Sequence, residues 1–177
     1  MRVLCVLILC LGALGGGAAA KVFYAKEEAL KTAFPDATSV EKKTFILTEA
    51  LVKRVEALAR AKLDSKLVTF YIGKKAQKVI GYAVIDVHIV RTLPEAFMVV
   101  LSPEGRVIST LVLAFYEPQE YLPKDQWLKQ FEKKSLGDSL IPGRDIAGIT
   151  GATLTARAIA EGVRRILALY QVLIAGR

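Results

Sequence analysis

The spacing of apolar positions changes period several times between residues 21 and 177, and each change marks an element. Lys26 to Phe34 reads as a short helix that Pro35 stops. Thr38 to Leu47 is rich in β-branched and aromatic residues and alternates in part, which predicts a strand. Thr48 then suits an N-cap. Leu51, Val55, Leu58 and Ala59 recur at helical spacing behind it, through about Lys62. Four strand-like runs follow: Leu67–Ile72, Lys78–Val90, Phe97–Leu101 and Arg106–Phe115. Ser102-Pro103-Glu104-Gly105 between the last two has the residues of a type I turn, so those runs form a hairpin. Its second strand is apolar on both faces, as a central strand would be.

Pro123 to Lys134 predicts a helix with Trp127, Leu128 and Phe131 on one side. Thr155 to about Ile174 predicts another, with Ile159, Val163, Ile166, Leu167 and Tyr170 inward and Arg157, Glu161, Arg164 and Arg165 outward. Consecutive antiparallel strands flanked by helices give an α+β class: an antiparallel sheet with helices packed on one face. No repeat, low-complexity tract or linker divides residues 21–177. Residues 21–64 are expected to be the N-terminal helix and strand part of the domain, and 65–177 its main body.

Residues 1–20 are different in kind. Arg2 precedes an apolar run from Val3 to Leu14, and a glycine-alanine stretch ends at Ala18-Ala19-Ala20. This pattern fits a secretory signal peptide cleaved after Ala20, and so a periplasmic or otherwise exported protein. The competing reading is a retained anchor, but the Gly/Ala half is weakly hydrophobic for a span that takes about 20 apolar residues. A lipid anchor fits less well, because Leu9 rather than a small residue precedes Cys10.

Composition then narrows the chemistry. Both cysteines, Cys5 and Cys10, lie in the leader, so the chain after it has no thiolate, no disulfide and no haem-attachment motif. His88 is the single histidine, which excludes a metal site of the usual His/Cys kind. His88 lies in an apolar strand-like run, where a structural or surface role weighs against that of a proton partner to a redox group. The formal net charge is +8, spread over scattered Lys and Arg without an aromatic-rich basic stripe. A solvated basic surface accounts for this. Attraction to an acidic redox partner or to a membrane surface of anionic lipid is the sharper alternative, and nucleic acid is the weaker one.

One segment carries chemistry. Gly143-Arg144-Asp145-Ile146-Ala147-Gly148-Ile149-Thr150-Gly151-Ala152-Thr153-Leu154-Thr155 runs straight into the last helix. Free N–H groups and the positive end of the helix dipole favour a phosphate there, and Gly151 and Ala152 let it approach the backbone. A plain N-cap by Thr153 or Thr155 is the alternative that local chemistry leaves open.

Thr150-Gly151-Ala152-Thr153-Leu154-Thr155 followed by an amphipathic helix resembles the flavinylation motif of the FMN-binding domain family. That family includes the G subunit of Rnf complexes and the C subunit of sodium-pumping NADH:quinone reductase. The run Phe97 to Val107 is similar to the family's central hairpin, Tyr116 to Leu122 to the Glu-Pro loop of its free-standing members, and Trp127 to Phe131 to the helix after it. The likeness covers about residues 65–170. Two differences stand out: Ala147 lies where the family usually has an acid, with Asp145 two residues earlier, and the Glu-Thr-Pro-Gly-Leu-Gly loop of the Rnf-type subunits is replaced by Glu117-Pro118-Gln119-Glu120.

The resemblance implies FMN covalently bound to Thr153 through a phosphoester, installed by a flavin transferase that draws on FAD. Thr150, Gly151, Ala152, Leu154 and Thr155 would line the phosphate. Glu117 and Tyr121 would approach the isoalloxazine edge, with a solvated loop acid as the equal alternative for Glu117. Trp127 reads as core. The implied function is an electron carrier more than a catalyst with its own substrate, relaying between redox partner proteins such as cytochromes or membrane electron donors. The alternatives are an exported flavin-dependent reductase of a small acceptor and a non-flavinylated binding or accessory module of a respiratory complex.

Overall fold

A computed structural model describes residues 21–176; the leader, with its signal-peptide reading, lies outside the described residues. Six strands form one antiparallel sheet: β1 (Lys21–Val22), β2 (Ser39–Ile46), β3 (Leu67–Lys75), β4 (Lys78–Ile89), β5 (Pro94–Leu101) and β6 (Val107–Phe115). Their order across the sheet is β1-β6-β5-β4-β3-β2, so the last five meander and the N-terminal strand closes the far edge. The helices are α1 (Lys26–Ala33), α2 (Glu49–Ala59), α3 (Asp125–Leu128) and α4 (Thr153–Tyr170). This is an α+β architecture. β2 pairs with β3 along its whole length and α2 packs on α4, which ties residues before 65 into the same sheet and core.

β5 explains why the sheet has two covered faces. Phe97, Val99 and Leu101 point into a large core with α2 and α4, while Met98 and Val100 point the other way, toward Ala29 and Phe34 of the α1 region. Period-two alternation in a strand apolar at every position from Ala96 to Leu101 requires a cover on each side. The one-face arrangement thus holds for α2 and α4, and α1 covers part of the opposite face. β6 is less central than its composition suggests, since only the two-residue β1 lies beyond it and Ile108 is exposed.

Local chemistry sets several boundaries. The Leu51 N–H donates to Thr48 Oγ1 at 3.3 Å, the cap expected at the start of α2. That helix ends at Ala59, because Arg60 turns into the left-handed region at φ 52°. The Gly105 N–H donates to the Ser102 carbonyl at 3.0 Å, closing the β5–β6 turn. The helix expected over Pro123–Lys134 is instead the single turn α3 followed by a 3₁₀ turn at Lys129–Phe131. The cause is tertiary: Lys133 N–H donates to the Val107 carbonyl at 2.7 Å, and Val107 N–H to that of Lys134 at 2.9 Å. Pairing with the start of β6 pulls this backbone out of helical geometry.

Candidate functional site

The site begins with a turn. The Ala152 N–H donates to the Ile149 carbonyl at 3.0 Å, and Gly151 within that turn has φ 80°. A side chain at 151 would meet no atom, so the backbone angle alone demands glycine. α4 starts directly after it. Its cap residue is Ala152, no side chain caps it, and the first N–H bonded inside the helix is Ala156, to the Ala152 carbonyl at 3.1 Å. The N-cap role weighed for Thr153 and Thr155 is therefore not the one they play. Thr153 stands exposed at the first helical position and Thr155 is buried. The first-turn N–H groups of an 18-residue helix are thus left to a ligand or to water.

In front of this helix start is a cavity of about 220 Å³, walled by Gly151–Thr155 on one side and by Val90, Arg91, Glu117 and Tyr121 on the other. The residues singled out in sequence converge here, with one exception. Thr150 faces the other way, into a separate cavity of about 660 Å³ with Trp127, Gln130 and Ile149. Trp127 is half-buried, lining that wall while packing against the main core; it meets Phe131 edge-on at 5.3 Å and donates from Nε1 to the Ala147 carbonyl at 2.7 Å. Gln130 Oε1 accepts from the Ala147 N–H at 2.7 Å, so the backbone of Ala147 is held from both sides. Asp145 accepts the N–H groups of Leu140 and Ile141, each at 2.9 Å, which shapes the approach to the motif.

Glu117 is neither a solvated acid nor a free one. It is buried, and its Oε1 accepts the N–H groups of Arg91, Thr92 and Leu93 at 2.9, 2.8 and 2.9 Å. Burial opposes its ionisation, yet these three donors hold the carboxyl below the usual carboxylate range. The β4–β5 loop is thereby fastened to the Glu-Pro loop. Arg91 comes with it, its guanidinium over the Tyr121 ring at 5.3 Å. Sequence reading passed over Arg91, because nothing local in Val90-Arg91-Thr92 marks it; the link is Glu117, twenty-six residues further on.

About three turns further along α4 lies a second set of charged residues. Arg165, placed outward by helical periodicity, is buried and donates to Asp86 Oδ2 at 2.7 Å. The same oxygen lies 2.9 Å from His88 Nδ1, and His88 Nε2 lies 3.3 Å from Oε2 of the fully buried Glu95. Burial disfavours the charged imidazole, but Asp86 and Glu95 outweigh it and push His88 up to about 9. Burial also pushes the Glu95 carboxyl above its ordinary range. His88, Arg165, Ala158 and Ile89 line a cavity of about 550 Å³ beside the first one.

The sheet, the two covered faces and the open start of α4 define an α+β domain that presents an uncapped helix N-terminus beside a clamped loop. A family comparison gives that class its chemistry. The FMN-binding domain model matches residues 94–168, from the start of β5 through the Thr-Gly-Ala-Thr segment into the last turn of α4. Residues 94–168 are therefore similar to the FMN-binding domain family, which supports a flavin-binding protein. No curated protein matches it.

Proposed function

We propose that Thr153 carries FMN through a phosphoester, and that the protein relays electrons between redox partners outside the cytoplasmic membrane. The observation that carries this reading is the exposed Thr153 hydroxyl at the first position of an uncapped helix inside the FMN-binding domain. In the attachment, the Thr153 oxygen displaces AMP from FAD under a flavin transferase. An Oγ–P bond forms, the P–O–P bond breaks, AMP leaves, and the hydroxyl proton passes to a base. The first-turn N–H groups of α4 would then hold the phosphate oxygens. The cavity is smaller than the roughly 300–1,000 Å³ of sites that enclose drug-sized ligands, which suits a phosphate and not the ring. Bound flavin supplies one- and two-electron exchange. The lack of cysteines after the leader leaves this threonine as the redox anchor, and the leader is the ground for export.

Tryptic cleavage at Arg144 and Arg157 isolates Asp145–Arg157, the peptide that should gain the mass of FMN less one water. The relay is tested by rapid mixing of the reduced flavinylated protein with a c-type cytochrome. Fast single-turnover oxidation without steady-state reduction of small acceptors is the expected result; selective turnover of a small acceptor would instead make the protein a reductase.

A further inference from the structure

We propose that Arg91 is the cation that neutralises the phosphate of the threonine-linked flavin, and that Glu117 is the positioning residue that places it there; this rests on the FMN reading of Thr153. Four observations converge on Arg91. It shares the small cavity with Gly151–Thr155. Its exposed guanidinium is in no ion pair within 4.0 Å given for the described residues, and the one carboxylate its charge acts on, Glu117, is already held by three backbone N–H groups. Its guanidinium lies over the ring of Tyr121, 5.3 Å from the centroid, and Tyr121 also lines that cavity. Its own backbone N–H is one of the three that Glu117 binds.

The charge balance of the cavity favours an anion. Glu117 is the one acid on the wall, and its Oε1 already takes three N–H donors. The positive end of α4 and Arg91 remain, and a planar guanidinium matches two phosphate oxygens at once. A lysine at 91 would keep the charge but lose the fork and the flat contact with Tyr121.

The test is the ³¹P resonance of the full-length flavinylated protein, with its urea-unfolded form as the reference for a phosphodiester free of contacts. Arg91→Ala should move the folded resonance most of the way to that reference, and Arg91→Lys should restore part of the difference. Glu117→Gln, which keeps one carbonyl acceptor for the loop, should give a smaller displacement in the same direction. Circular dichroism establishes that each variant is folded, and Arg91→Lys remains informative where Arg91→Ala is not. A flavinylated wild type whose resonance is unchanged in folded Arg91→Ala or Arg91→Lys overturns the Arg91 assignment alone. A wild type without any phosphorus signal overturns the FMN reading beneath it.

Discussion

Asp86, His88, Glu95 and Arg165 form a buried charge network from three elements, two of β4, one of β5 and one of α4. Such groups are costly to bury unless paired, and removing one partner strands the others. His88 has a folded pKa above its ordinary value. Its contribution to stability is therefore complete below about pH 6.5 and is lost as pH rises through about 9. Its size is on the order of 3 kcal/mol, shared with the acids it touches. The thermal midpoint should fall between pH 7 and 10, and the step near pH 9 should be absent from the melting profile of His88→Gln. A wild-type profile flat over that range would show that the imidazole is neutral. The polar side of α4 could not reveal this from sequence, because Arg165 looks like any outward arginine until Asp86 is seen against it.

At the scale of elements, α4 is where sequence and structure agree most closely and where the margins are tightest. Gly162 lets it approach β5: a Cβ there would lie 2.4 Å from Phe97 Cζ and 2.9 Å from Asp86 Oδ2. Alanine is a better helix former by about 1 kcal/mol, but overpacking costs about 1–3 kcal/mol. Gly162→Ala should therefore destabilise the domain by roughly 1 kcal/mol or more in denaturant unfolding. A stabilised variant would mean that the helix and sheet separate easily. The Thr48 cap, the β5–β6 turn and the Gly151 turn were legible because each depends on residues within a few positions of one another. α3 and the Glu117 clamp were not. Lys133 and Lys134 leave the helix to pair with Val107, and the carboxylate of Glu117 is claimed by a loop more than twenty residues upstream.

For the whole molecule, the sheet brings the β4–β5 loop and the start of α4 to one place, while the basic surface acts at longer range. A net charge of +8 should speed encounter with an acidic partner and lose that advantage with salt. Electron exchange with an acidic cytochrome should slow several-fold between 20 mM and 200 mM salt, and a rate indifferent to salt would remove charge from the recognition. The alignment of motif, cavity and clamped loop all serves one residue, Thr153. The most direct measurement is the intact mass of the protein co-expressed with a flavin transferase, beside Thr153→Val. The wild type should gain the mass of FMN less one water and Thr153→Val should gain nothing; an unmodified wild type, or an equal gain in the valine variant, would contradict the account.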